Sequence, residues 1–319
     1  MKIVVLSSEL KEKQKKEILA TADGIGASVC FAEKEEEIPE DFAEAEVLYG
    51  YGVKTAAKST ALKWLCVPSA GVEYLLAPFA FANEDCILTN SSGSYGVGIS
   101  EHIMMVTLMM LRNFTEVFKQ SVAGKWGSRV PQRSLKGMRV TILGTGDIGS
   151  TFARRVKAFE PACITGICRS GICKEPAFDK VFKSSSLDAV LPETDLLILC
   201  LPATLETQGI LSKARIEVLP DDAYIVNVGR GSAIDEEALA ESLDRGKLAG
   251  AALDVFVTEP LSENSRLWNT KNLLISPHVA GNLTHDYSLD KNVEMFCDNL
   301  LRYAAGKPLE HVVDRKRGY

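Results

Sequence analysis

Three short stretches each carry a residue able to act on an oxygen: Asn227-Val228-Gly229-Arg230-Gly231, Leu253-Asp254-Val255-Phe256-Val257-Thr258-Glu259-Pro260-Leu261 and Ser276-Pro277-His278-Val279-Ala280-Gly281. An arginine offers a forked cation that matches a carboxylate. A histidine titrates near neutrality and can give or take a proton, while a carboxylate beside it holds the ring in one tautomer and favours the charged form. Singly, Arg230 reads as a surface cation, Glu259 as a turn residue before Pro260 and His278 as a core histidine. Together, each just beyond a predicted strand, they read as a group that binds an oxyanion and moves a proton.

A fourth stretch supplies a place for phosphates. Gly144-Thr145-Gly146-Asp147-Ile148-Gly149 has the spacing GxGxxG and stands between an apolar strand, Val140–Leu143, and a helical pattern, Ser150–Phe159. The first glycine permits the tight turn, the second lets a pyrophosphate approach the backbone, and the third lets helix and strand pack closely. The helix start adds free amides and the positive end of a dipole. An NAD site needs an acid at the end of the next strand, to bind the ribose diol. Cys168-Arg169-Ser170 stands there instead, and a guanidinium with a hydroxyl suits an extra phosphate. The expected cofactor is therefore NADP(H), with NAD(H) as the lesser possibility.

The elements that must position these residues are legible as short apolar runs. Ile3–Leu6, Val47–Tyr49, Trp64–Val67 and Ile87–Leu88 form one series, separated by helical patterns such as Glu9–Ala20. Arg139–Leu143, Cys163–Ile167, Leu196–Leu201, Tyr224–Val228, Gly250–Val255 and Leu273–Ile275 form a second, with helices such as Glu236–Arg245 between. Strands alternating with helices imply α/β architecture with two doubly wound parallel sheets. Between the series, Ile99–Phe114 is apolar on every helical face at Ile103–Leu111 and must be covered all round. Its methionines read as core packing, and the surplus of apolar surface implies a homodimer. The final helical pattern, about Asp286–Ala304, is too short for a domain and is expected to return to the first one. The expected organisation is a substrate domain of residues 1–95 and 284–319 and a dinucleotide-binding domain of residues 96–283. The acidic run Glu33–Glu37 reads as a solvated surface turn.

The glycine loop followed by Arg, Glu and His, in this order and in these contexts, resembles the D-isomer-specific 2-hydroxyacid dehydrogenase family over nearly the whole chain. Pro68-Ser69-Ala70-Gly71-Val72, Glu101-His102 and Gly306-Lys307-Pro308-Leu309 strengthen the likeness. The resemblance implies a Rossmann domain and a flavodoxin-like substrate domain, the active site in the cleft, and a dimer built largely through the dinucleotide domain. It implies that backbone amides of Ser69, Ala70, Gly71 and Val72 hold a substrate carboxylate. It also places the cofactor against Gly144–Gly149 (Thr145, Gly146, Asp147 and Ile148 included), Arg169, Ser170, Leu201, Pro202, Thr207, Val228, Asp254 and Gly281, with Arg230 and His278 bordering the ring. Asp254 would bind the nicotinamide carboxamide. The implied reaction passes a hydride between the cofactor and a small 2-oxoacid or D-2-hydroxyacid, with Arg230 binding carboxylate and carbonyl, His278 as acid or base and Glu259 as its partner.

Composition bounds the alternatives. The chain has 319 residues, 46% of them hydrophobic, and a net charge of −6 with both signs mixed, so nucleic acid is a poor partner. The eight cysteines are scattered and read as reduced thiols, and neither they nor the four histidines form a zinc pattern, so no metal is expected. No apolar run has the length of a membrane span or a leader, which points to the cytoplasm. Formate dehydrogenases lack the glutamate partner of the histidine, and the regulatory domain of long phosphoglycerate dehydrogenases is not expected. A corepressor-like binding protein on the same fold is the alternative from another class. Tyr49, Tyr51, Tyr74, Leu75 and Tyr95 are the positions from which a substrate side-chain pocket would be drawn, leaving glyoxylate, hydroxypyruvate, pyruvate and larger keto acids open.

Overall fold

Parallel strands between two helical layers are covered on both faces, so they are apolar without alternation. Leu196–Leu199 and Tyr224–Asn227 are buried at every position for this reason. The computed structural model describes residues 1–319, which divide into two compact units, 1–95 with 282–319 and 96–281. The second unit ends at Gly281 rather than at 283. Leu283 is buried and leads into the last helix, Asp286–Ala304, within the first unit.

The first unit is a five-stranded parallel sheet of β1 (Lys2–Leu6), β2 (Ser28–Ala32), β3 (Val47–Tyr49), β4 (Trp64–Cys66) and β5 (Ile87–Thr89), in the order β2-β1-β3-β4-β5. Helices α1 (Glu12–Gly24) and α2 (Val53–Lys58) connect its strands. The last helix belongs to this unit because Phe296 is fully buried against Tyr49 and Trp64, with ring centroids 4.9 and 5.4 Å apart. Burying such a ring contributes about 1.5–3 kcal/mol. On the helix's polar side, Lys13 and Gln14 of α1 reach Asp290 at 2.6 and 2.7 Å. The acidic run is more than a solvated turn: Glu35 accepts the Thr55 amide and hydroxyl at 2.6 Å each and so serves free donors in the first turn of α2.

The second unit holds α3 (Gly96–Leu111), α4 (Phe114–Val122), β6 (Arg139–Leu143), α5 (Asp147–Val156), β7 (Cys163–Cys168), β8 (Lys180–Lys183), α6 (Leu187–Val190), β9 (Leu196–Leu199), α7 (Lys213–Val218), β10 (Tyr224–Asn227), α8 (Glu236–Asp244), β11 (Gly250–Leu253) and β12 (Leu273–Ile275). Its strands run in the order β12-β11-β10-β9-β6-β7-β8, all parallel. This is the Rossmann arrangement, whose order reverses between β6 and β9 and opens a crevice beyond their carboxyl ends.

Two strands lie outside the apolar runs read from the sequence, β2 and β8, and both are sheet edges. β8, Lys-Val-Phe-Lys, exposes three of its four residues and so lacks the continuous burial that marks a central strand. The expectation that α3 is covered all round also fails within the chain. Ile103, Val106, Thr107 and Met110 are buried, but Met105 is half exposed, and Phe114 and Phe118 of the neighbouring α4 are about as open.

Candidate active site

The glycine loop has the geometry its spacing implies. Gly144 takes φ +99°, and a Cβ there would lie 2.7 Å from the Cys200 carbonyl oxygen; a Cβ on Gly149 would lie 1.9 Å from the Gly144 oxygen. Neither place tolerates a side chain. A Cβ on Gly146 would meet nothing within 4 Å, so the loop stands open where α5 begins. That cradle fits a pyrophosphate held by the first amides of the helix. Asp147 does not present its carboxylate there: it accepts the Gly96 amide at 2.7 Å and tethers the start of α3 to α5. Thr207 likewise turns inward, its hydroxyl donating to Pro202 O at 2.7 Å and accepting the Thr204 amide at 2.9 Å, so it shapes the loop after Leu201-Pro202.

Arg169 and Ser170 are exposed at the end of β7, the strand next to the glycine loop. The Ser170 hydroxyl contacts the Ile172 carbonyl and amide, each at 3.2 Å, and must rotate to reach a ligand.

Three adjacent parallel strands carry Arg230, Glu259 and His278 out of the same edge of the sheet. Asn227 pairs with Leu253 and Leu253 with Ile275, so the loops bearing Arg230, Glu259 and His278 start level with one another. Asn227, buried at the end of β10, accepts the Gly229 amide at 3.0 Å and donates to the Arg230 carbonyl at 2.9 Å, which fixes the turn that presents the guanidinium. The structure brings His278 and Glu259 together: Nδ1 lies 2.6 Å from Oε2. Oε1 of Glu259 accepts the Phe256 amide at 2.9 Å, so the carboxylate is itself oriented. With Nδ1 so engaged, Nε2 is the nitrogen left for a reacting group.

Asp254 is buried and anchors the histidine loop. Its Oδ1 accepts the Ser276 hydroxyl at 2.6 Å and the Val279 amide at 3.0 Å, its Oδ2 accepts the Ala280 amide at 2.9 Å, and its carbonyl accepts the His278 amide at 2.8 Å. Ser276 also meets His102 Nε2 at 3.3 Å. Burial holds the His102 imidazole below its ordinary pKa, against the opposing pull of Asp254. Sequence reasoning quoted Asn227, Ser276 and His102 without giving them roles. For Asn227 the signal was a polar residue at the buried end of an apolar strand, which must find partners.

In the first unit, every carbonyl of Pro68–Val72 is tied back. Pro68 O accepts from Asn292 at 2.8 Å and from Tyr95, Ser69 O from the Ser91 amide at 3.0 Å, Ala70 O from Asn90 at 2.9 Å, Gly71 O from Ser69 Oγ at 2.7 Å and Val72 O from the Leu75 amide at 2.9 Å. The five pocket positions separate cleanly. Tyr49, Leu75 and Tyr95 are core, whereas Tyr51 and Tyr74 are 52% and 42% exposed beside Ser69, their rings 6.4 Å apart. Burial pushes the Tyr74 hydroxyl up to about 12, so both phenols remain protonated hydrogen-bonding groups at neutral pH.

A Rossmann unit with a glycine cradle and a coupled histidine and glutamate defines a dinucleotide-dependent class of protein. The profile of the NAD binding domain of D-isomer specific 2-hydroxyacid dehydrogenases matches residues 104–280, and the chain belongs to that family. Glyoxylate/hydroxypyruvate reductase B of Pectobacterium carotovorum is 31% identical over 221 residues, 68% of each chain. A D-3-phosphoglycerate dehydrogenase of Archaeoglobus fulgidus is 28% identical over 72% of this chain, a match that spans only 43% of that longer protein. Among solved structures, a D-isomer specific 2-hydroxyacid dehydrogenase family protein of Aeromonas salmonicida is 32% identical with a TM-score of 0.87, covering 98% of this chain and 99% of its own. An NADPH-dependent glyoxylate/hydroxypyruvate reductase of Sinorhizobium meliloti, solved with NADP and sulfate, is 27% identical with a TM-score of 0.81, covering 100% and 99%.

Asp254→Asn retains shape but sets an amide NH2 against an amide donor or the Ser276 hydroxyl. It is expected to lower unfolding free energy by about 1–3 kcal/mol, the cost of leaving a buried group unpaired. Urea denaturation measures it, and an unchanged midpoint would show that the carboxylate does not hold the loop.

Proposed function

We propose that this chain is a reductase of a short 2-oxoacid, with NADPH as its preferred hydride donor and the D-2-hydroxyacid as product. The observation that carries the reading is the 2.6 Å pairing of His278 Nδ1 with Glu259 Oε2, on the sheet edge that also carries Arg230 and the glycine cradle. A reduced nicotinamide bound to the second unit supplies the hydride to the carbonyl carbon. Arg230 holds the carboxylate and polarises the carbonyl oxygen, and His278 Nε2 delivers a proton to that oxygen as its negative charge develops. Glu259 keeps Nδ1 protonated and the ring in place. The amides of Ser69–Val72 suit a carboxylate, and the exposed phenols of Tyr51 and Tyr74 favour a short polar substituent, as in glyoxylate and hydroxypyruvate. The names of the Pectobacterium and Sinorhizobium relatives support the same substrate class. No helix is long and apolar enough to cross a membrane, and all eight cysteines are unpaired, which supports a reducing compartment such as the cytoplasm.

His278→Ala is expected to lower kcat on glyoxylate or hydroxypyruvate by about 10²–10⁴-fold, the usual share of a positioned acid, with NADPH binding by fluorescence nearly intact. Near-normal turnover in the variant, or a wild-type protein that reduces no 2-oxoacid of the panel, overturns the reading.

Cofactor choice follows from the absence of a carboxylate at Cys168-Arg169-Ser170. A charge-assisted contact to the extra phosphate gives a kcat/KM preference for NADPH over NADH of about tenfold to a hundredfold, which Arg169→Ala largely abolishes. Equal use of both cofactors, or an unchanged ratio in the variant, refutes the role of Arg169.

The outward face of α3 and α4 supports a homodimer. Met105, Phe118 and Val122 are 50%, 59% and 73% exposed, and Trp126 just beyond is fully so, a concentration of apolar surface that a lone soluble chain rarely leaves open. Light scattering at micromolar concentration is expected to give twice the chain mass, reduced to one by Phe118→Glu. A monomeric wild-type protein removes the proposal.

A further inference from the structure

Burial disfavours the thiolate strongly at four of the eight cysteines. It pushes the thiols of Cys66 and Cys200 up to about 12 and those of Cys86 and Cys297 up to about 11. Cys168 and Cys173 differ in place and in surroundings. They bracket Arg169-Ser170-Gly171-Ile172, the turn at the end of β7, and both are only partly buried. Gly171, at φ +70°, donates its amide to the Cys168 carbonyl at 3.3 Å, so the chain doubles back. Cys168 Sγ consequently lies 3.6 Å from the Ile172 carbonyl oxygen, part of the peptide unit that joins Cys173. Cys173 Sγ lies 3.7 Å from the Thr145 carbonyl oxygen, while the Cys168 thiol meets the Thr145 hydroxyl. Both sulfurs therefore converge on the second residue of the glycine loop. Burial works to raise the Cys168 thiol, but hydrogen bonds from Ser170, Thr145 and the amides of Gly171 and Ile172 outweigh it and hold the thiol below its ordinary range. That combination of access and stabilised thiolate is what reactivity requires.

We infer that Cys168 and Cys173 are an oxidisable pair, converted by hydrogen peroxide to a disulfide that closes the loop carrying Arg169 and Ser170. The Cys168 thiolate attacks peroxide, breaking the O–O bond to give a sulfenic acid and one water. The Cys173 thiolate then attacks that sulfur and expels the second water. Two thiols lose two electrons, peroxide gains them, and one S–S bond forms. A disulfide needs Cβ atoms about 3.8 Å apart with a dihedral near 90°, so forming it draws the Cys173 sulfur away from the Thr145 carbonyl and onto Cys168. Arg169 and Ser170 move with it, and the loop loses its fit to the extra phosphate. This last consequence rests on the proposed NADPH reading, whereas formation of the bond does not.

Trypsin separates the two cysteines, because it cuts after Lys157, Arg169 and Lys174. In the intact protein treated with peroxide and then capped with N-ethylmaleimide, a non-reducing digest is expected to show Ala158–Arg169 joined to Ser170–Lys174. Cys168→Ser and Cys173→Ser must each abolish the joined species; its survival in Cys168→Ser assigns the bond to Cys163 and overturns the inference, as do peptides that stay separate in the wild type. Oxidation is expected to weaken NADPH binding, read by cofactor fluorescence, by about tenfold, with recovery in dithiothreitol and no change on treatment in either serine variant. A joined digest with unaltered NADPH affinity defeats the gating role, and because binding rather than turnover is read, a failure of the 2-oxoacid assignment leaves this test intact.

Discussion

Everything the second unit offers to a ligand depends on the register of its parallel strands. The residue after each strand donates its amide to a carbonyl at or next to the end of a neighbour: Gly144 to Ile167, Cys200 to Leu143, Val228 to Leu199, Asp254 to Asn227 and Ser276 to Leu253. These bonds put the glycine loop, the Leu201-Pro202 loop and the loops bearing Arg230, Glu259 and His278 at one level along one edge. A slip of one residue in a strand would exchange the side chains packed against the two helical layers, so the close packing of the buried Leu197, Ile225 and Leu253 supports the alignment together with the hydrogen bonds. The chemistry is held by packing that lies well below it.

On that edge the histidine loop is under local strain. His278 occupies the left-handed region at φ +54°, which costs a residue with a Cβ about 1–2 kcal/mol. The bonds from Asp254 to the amides of His278, Val279 and Ala280, and from Glu259 to the imidazole, offset it. Two carboxylates thus divide the work: the buried one fixes the backbone and the more exposed one fixes the ring. Such an arrangement keeps the imidazole in place before any ligand arrives.

The motifs were legible because their chemistry is local. Gly144-x-Gly146-x-x-Gly149 follows a strand and opens a helix, and each glycine has its own steric reason, visible in spacing alone. Central strands were legible for the same cause, since a run such as Leu196–Leu199 has no polar face. What the sequence concealed was long-range. β2 and β8 are edges whose half-open faces break the apolar run. Asp147 sits inside the phosphate motif, yet its carboxylate serves Gly96, 51 positions away in the chain. Tyr49, Tyr51, Tyr74 and Tyr95 are one residue type with two fates, and only the distant Asn292 and Phe296 decide that Tyr49 is core. Side-chain direction, unlike motif spacing, is set by partners that no short window contains.

The return of Asp286–Ala304 to the first unit has a consequence for how the chain acquires its structure. The sheet made by residues 1–95 cannot complete its aromatic core until Phe296 arrives, about two hundred residues later, whereas residues 96–281 contain every strand of their own sheet without interruption. Closing the first core carries the entropy of a loop spanning the whole second unit, a cost that falls steeply once that span is itself folded and its ends are held. On a ribosome delivering residues in order, the contiguous unit matures first and the interrupted one last. The two halves of one protein therefore have different kinetic histories, and the earlier half serves as the template length across which the later one closes.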